Sequence, residues 1–249
     1  VATGVIAEAL YAGLRTRPIA RRQIRAAPRV AIPFTFEHFL RFYIPLALTS
    51  LIGFFISPIG SASMSRMPRT LGSLAAWSVI YGFIFVMRSP CLAYNEVTVA
   101  LLDEPHSYPR LKQFAVILGL SSTLLILIVA ATPIAEIWMR DIMALPADLI
   151  PMATQAVWLT LPFPLLAMVQ SWFQGIIVNH KKTRAITEAV ALNLVIFVIS
   201  AGIGVMTQIA AGLYVVLFAQ GISTLVQVLW LGLRSRDIVK RLEAREGKD

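Results

Sequence analysis

Charged residues are scarce in this sequence. They make up 14% of its 249 residues, against roughly a quarter in a soluble domain. Acids are the rarer kind, 13 against 22 lysines and arginines. The one cysteine, Cys91, excludes an intrachain disulfide. The three histidines, His38, His106 and His180, stand far apart with no ligand spacing, so no metal site is expected. There is no phosphate-binding GxxxxGK[ST] loop, no GxSxG with a plausible triad and no HExxH pair. Glu96 and Glu188 each lie in an apolar stretch without a neighbouring carboxylate, whereas membrane hydrolases and phosphotransferases use clustered acids to hold metals or move protons. The expectation is a chain that is not an enzyme and carries no cofactor. The sequence also opens at Val1 with no initiator Met, basic leader or cleavage pattern, and so reads as a fragment.

Apolar sequence is abundant. Hydrophobic residues make up 57%, the mean hydropathy is +0.74, and several apolar runs approach the ~20 residues that cross a bilayer as a helix. Their length and lack of strict alternation exclude an outer-membrane barrel. The expected fold is all-α, a polytopic membrane bundle with six full transmembrane helices and a truncated helix at the start. The +9 net charge is concentrated in loops and tail, which marks topology, and no nucleic-acid partner is expected.

Trp77–Asp103, WSVIYGFIFVMRSPCLAYNEVTVALLD, is the segment around which the others are read. At ~1.5 Å per residue it is long enough to cross the ~30 Å hydrocarbon layer, which places Arg88 well inside. Tyr81, Arg88 and Asn95 are seven apart and share a face, with Glu96 on its flank. Pro90 removes a backbone donor beside the charge and should bend or loosen the helix. A mid-bilayer arginine costs on the order of 2.5–3.5 kcal/mol on insertion scales and usually faces a bundle interior or watery cavity. Two uses remain open: a charge lining a pathway, or packing in which Arg88 pairs with Glu96 or with carbonyls of another helix.

In chain order, Val1–Leu14 is expected to be the end of a truncated transmembrane helix. Residues 15–37 form a basic linker (Arg15, Arg17, Arg21, Arg22, Arg25, Arg29) and an interfacial entry turn. The six-helix lobe occupies 38–234. Its first span, from about Phe39 to Ser65, carries Ser50, Ser57 and Ser61 on one face, either for close helix packing or to line a substrate path. The third, Phe114–Pro133, is almost wholly apolar. The fourth, Ile150–Val178, has Gln170 and Gln174 one turn apart and is broken or bent by Pro162 and Pro164. The fifth runs from about Thr187 to Met206, and the sixth, Ile209–Leu233, aligns Gln220, Thr224 and Gln227. The charged tail, 235–249, is expected to be helical on the membrane surface or in the cytosol. Seventeen of the basic residues fall in the linker, the Asp103–Lys112 loop, the Lys181–Arg184 turn and the tail, and only Arg66, Arg69 and Arg140 fall in the alternate loops. By the positive-inside rule the linker and C-terminus are cytoplasmic, in an inner or plasma membrane.

The stretches FLRFYIPLALTSLIGFFISPIG and WLTLPFPLLAMVQSWFQGIIVNHKKTRAITEAVALNLVIFVISAGIG, on either side of the polar-centred second helix, resemble the C-terminal six-helix lobe of the multidrug/oligosaccharidyl-lipid/polysaccharide (MOP) exporter superfamily. The progressive ankylosis branch is the one they look most like. The features that match are Ile44-Pro45-Leu46-Ala47-Leu48, Ile56-Ser57-Pro58-Ile59, the proline-containing stretch before Gln170, and Lys181-Lys182-Thr183 after Gly175. The resemblance implies a MATE-like exporter of two six-helix lobes about a central cavity, working by alternating access. The first lobe would be missing here, its place taken by a separate lobe or a second copy. Substrates in the superfamily range from cationic drugs to lipid-linked sugars to small polyanions, and an inward Arg88 favours a small or lipid-linked anion. The candidate cavity residues are Tyr81, Arg88, Asn95, Glu96, Ser57, Gln170, Gln174 and Gln220, with membrane lipids as surroundings. The competing readings are a non-transporting membrane subunit or anchor and, less favoured, a membrane-embedded transferase.

Overall fold

The computed structural model describes residues 2–19, 35–104 and 106–246. They are helical throughout apart from short turns, and no strand occurs among them. Two compact units are resolved, Val1–Arg41 and Phe42–Asp249. The first contains α1, Ala2–Ile19. This helix runs past the expected end at Leu14, taking Arg15 and Arg17 into its last turns; Arg15 stacks over Tyr11 at 5.9 Å, and Thr16 hydrogen-bonds back to the Ala12 carbonyl at 2.8 Å. The rest of the basic linker, with Arg21, Arg22, Arg25 and Arg29, lies outside the described residues.

The second unit is a helix bundle. Its helices are α2 (Phe36–Met64, entering from the first unit), α3 (Thr70–Leu101), α4 (Ser107–Ala131), the short α5 (Ile134–Ile137) running into a π-helical turn at Trp138–Ile142, α6 (Ile150–Leu159), α7 (Pro162–Asn179), α8 (Arg184–Thr207) and α9 (Gly212–Glu246). Five of them are long and apolar enough to cross a membrane, and α6 with α7, bent by 40°, pass the same test together, making six if the pair is one broken span. The chain is a multi-pass helical membrane protein.

The break in that sixth span is the one the prolines require. Pro162 and Pro164 fall in the first turn of α7, where the missing N–H groups would have had no partner, and Thr160 closes α6 by donating its hydroxyl to the Val157 carbonyl at 2.7 Å. Pro90 behaves differently, because α3 continues through it. Proline leaves the carbonyl four residues back without its helical donor, here that of Val86, and the Ser89 hydroxyl donates to that oxygen at 2.9 Å. A side chain replaces the lost backbone bond, so the helix beside Arg88 stays intact.

α3 packs along α7, and α8 along α9; α9 also crosses α7, and α4 lies outside α3 and α7. Lipid tails are as apolar as leucine, so contact between such helices depends on close approach at small residues. A methyl group on Gly119 of α4 would stand 3.1 Å from Met168 of α7, and one on Gly175 of α7 only 2.6 Å from the Cβ of Thr98 on α3. One on Gly204 of α8 would overlap Val215 of α9. The apolar face of α4, including Phe114, Ile117, Leu120 and Leu124, is left outward.

Two groups of loops define the ends of the bundle. At one, Gln208 donates to the Arg66 carbonyl at 3.4 Å and the Gly212 N–H reaches the Pro68 carbonyl at 3.4 Å. At the other, Asn179 donates to Asp103 at 3.1 Å and Arg245 to the Leu102 carbonyl at 3.3 Å. The second end collects the Asp103–Lys112 loop, the Lys181–Arg184 turn and the end of α9.

The tail is helical, as expected, through Glu246, and it packs against the loops at this end of the bundle. Residues 235–246 continue the last span without interruption. Ile238 and Leu242 are 3% and 6% exposed in a cluster with Leu102, Tyr108, Leu111 and Trp172. Glu243 accepts from the Tyr108 hydroxyl at 3.3 Å and lies 3.8 Å from Lys112. The signal was present in the sequence: Leu231, Ser235, Ile238 and Leu242 recur at intervals of three and four through the charged tail and are all buried.

Candidate functional site: a polar cavity with one guanidinium

Five helices line a half-open cavity of about 340 Å³, within the usual range for small-molecule sites. α2 contributes Thr49, Ser50, Gly53 and Ile56; α3 contributes Trp77, Tyr81, Ile84, Arg88 and Asn95. Phe163, Gln170, Gln174 and Val178 come from α7, Ile186, Val190 and Asn193 from α8, and Leu217, Gln220, Thr224 and Gln227 from α9. α4 contributes nothing to it. Helical spacing produces the polar stripes: seven-residue steps on α3, a four-residue step on α7, and steps of four and three on α9.

Six of the eight residues expected from the sequence meet here: Tyr81, Arg88, Asn95, Gln170, Gln174 and Gln220. Ser57 and Glu96 do not; both are exposed and outside the lining. Each sits one residue, or about 100° of helix rotation, past an inward position, Ile56 on α2 and Asn95 on α3. The inward face of α2 is therefore the one through Thr49, Gly53 and Ile56, and of the three serines expected to share a face only Ser50 lines the cavity. Thr49, Trp77, Phe163 and Asn193 were missed as lining residues, since nothing in an apolar run reveals which of its faces a neighbour will cover.

The electrostatics are simple. Arg88 is the charged residue among the described residues lining the cavity, and no carboxylate accompanies it. It makes no ion pair or hydrogen bond with another described residue, and its Nε is buried without a partner. The possible pairing with Glu96 does not form. Asn95 Oδ1, two turns further along α3, is likewise buried and unpartnered. Gln220 donates to the Thr224 hydroxyl at 3.2 Å, whereas Gln170, Gln174, Gln227 and Asn193 form no hydrogen bond within the described residues, although Gln227 and Asn193 are only 5% and 2% exposed. Their amides are presented to the cavity.

Bulky packing backs this wall. Behind Arg88 and Asn95, Tyr94 donates to the Leu111 carbonyl at 2.8 Å and stacks on Trp172 with ring centroids 6.4 Å apart, and Trp172 meets Tyr108 at 5.5 Å. Below the cavity, Glu188 of α8 pairs with Arg234 of α9, whose Nε donates at 3.0 Å, and with Arg184 at 3.4 Å. Arg234 also lies over the ring of Trp230 at 5.2 Å. The acids of this region are thus engaged with cations outside the cavity. No protein-family model, no curated protein and no solved structure matches the chain.

Proposed function

We propose that the chain is one six-helix lobe of a MATE-like secondary transporter or flippase, which exports a small or lipid-linked anionic solute by alternating access. In this reading it lies in an inner or plasma membrane with its C-terminus in the cytoplasm, where the basic loops would be held by the positive-inside rule. The wall completing the pathway comes from a complementary lobe or a second copy of the chain.

The observation that carries the reading is Arg88. A guanidinium deep in an apolar bundle is costly unless paired or wet, and this one lines a cavity with no acid beside it among the described lining residues, its Nε buried without a partner. A purely structural arginine would have been given its counter-charge, as Arg234 has been given Glu188. An anchor, moreover, has no need of polar stripes from α2, α3, α7, α8 and α9 converging on one space.

Vesicles reconstituted with the complete transporter, this lobe together with the wall that completes its pathway, and loaded with labelled organic anions test this. Arg88→Gln should abolish efflux while insertion and abundance stay near wild type, because the planar fork that binds an oxyanion is lost, and Arg88→Lys should retain part of it. Glu96→Gln should leave efflux unchanged. Wild-type efflux by Arg88→Gln at equal abundance would remove the binding role.

A further inference from the structure

Resting on the reading of this cavity as an anion site, the geometry points to its solute class: a compact molecule with a single anionic group on a hydroxyl-rich body, the chemistry of an acidic sugar.

The charge in the cavity limits the anionic part. Arg88 is the one cation among the described residues lining the cavity, so on this wall a single anionic group finds a partner and a second would be left uncompensated against the protein, the costly state for a buried ion. One carboxylate fits one bidentate fork.

The amides describe the rest of the molecule. Gln170, Gln174, Gln227 and Asn193 line the cavity without hydrogen-bond partners among the described residues. A side-chain amide offers two donors and an acceptor, and a hydroxyl is both donor and acceptor, so each can satisfy the other in either orientation. An alkyl chain in the same place would leave these groups unpaired.

Arg88 and Asn95 set the order. Both line the cavity, and the seven residues between them amount to ~10 Å along the helix. The guanidinium takes the anionic group, and the Asn95 amide suits a hydroxyl at another level of the molecule. Trp77, Tyr81 and Phe163 add ring faces suited to the C–H side of a sugar.

The test is equilibrium binding of radiolabelled glucuronate to the purified chain in lipid nanodiscs, with hexanoate, glucose and pyrophosphate as competitors. Glucuronate should bind in an Arg88-dependent manner, and each competitor should be about tenfold or more weaker, the loss of two or three neutral hydrogen bonds or of the charge pair. Gln174→Leu should weaken glucuronate several-fold and leave hexanoate unchanged, which separates a lost amide contact from a misfolded site. If hexanoate or pyrophosphate binds as well as glucuronate and still depends on Arg88, the solute class is wrong while the anion cavity stands. If glucose binds equally, or if no probe depends on Arg88, the anion reading falls and this inference with it.

Discussion

Gly175 offers the sharpest test of how this bundle is held together. It lies on α7 where that helix meets α3, and a methyl group there would stand 2.6 Å from Thr98 Cβ, 2.7 Å from Thr98 Cγ2 and 3.2 Å from the Asn95 carbonyl oxygen. Carbon atoms in favourable contact are ~3.5–4.0 Å apart, so Gly175→Ala must push α7 from α3 by about 1 Å. Overpacking of this kind costs roughly 1–3 kcal/mol, while the better helix propensity of alanine returns about 1 kcal/mol. The expected net loss is about 0–2 kcal/mol. Gly202, on α8, is the control: nothing lies within 4 Å of an added methyl, so Gly202→Ala should gain propensity alone and be stabilised by up to ~1 kcal/mol. Thr98→Ala should restore little to the Gly175→Ala protein, because the nearest atom is the β-carbon that alanine keeps. Reversible unfolding in mixed micelles, followed by near-ultraviolet circular dichroism, measures all four proteins. Gly175→Ala as stable as Gly202→Ala would refute the close approach of α3 and α7. Because Asn95 and Gln174 flank that contact, the same displacement should weaken solute binding at the cavity.

Further expectations concern other joints. Leu242→Ala should cost about 2–4 kcal/mol in the same assay, since this side chain is 6% exposed against α3 and α4; a tail lying free would show no change. The pair Lys112–Glu243, with 59% and 51% of its side chains exposed, should contribute under ~1 kcal/mol, as a double-mutant cycle would show. Ser89→Ala should destabilise by about 0.5–1.5 kcal/mol by orphaning the Val86 carbonyl, and the loss should vanish in a Pro90→Ala background, where a backbone N–H returns; an undiminished loss there would point to another cause. For topology, in a Cys91→Ser background, cysteine at Ala147 should react with an impermeant reagent on intact cells and cysteine at Lys240 should not. Position 240 is chosen because it is exposed, whereas Ser235 nearby is fully buried.

The positions of the spans were legible because a bilayer demands length and apolarity and little else. So was the break at Pro162, where the missing donors leave no other geometry. The stripe on α3 could be phased because three polar residues seven apart outweigh the apolar background. α2 could not be phased in this way. Its serines are small enough to sit at a helix contact or in a cavity, so Ser57 was placed inward when Ile56, one residue away, is the one that turns in. Glu96 was misplaced through its neighbour in the same way, adjacent in sequence to Asn95 but turned outward. The docked tail was hidden by composition, since charges on three sides of a helix mask a narrow apolar stripe on the fourth.

The unbroken course of α9 has mechanical consequences. From Gln220 at the cavity to Glu243 at the far end is 23 residues, ~35 Å of rigid rod. The closest fit of α9 to its neighbour is near Val215, against Gly204, and this is a natural fulcrum. A tilt of about 5° there would shift the Gln220–Gln227 stripe by roughly 1 Å and the Glu243 end by roughly 4 Å, enough to part Glu243 from Tyr108 and Lys112. Occupancy of the cavity and the state of that contact would then be geared together with a ratio near three, so that the opening of an ion pair on the protein surface would report a movement too small to see at the site itself.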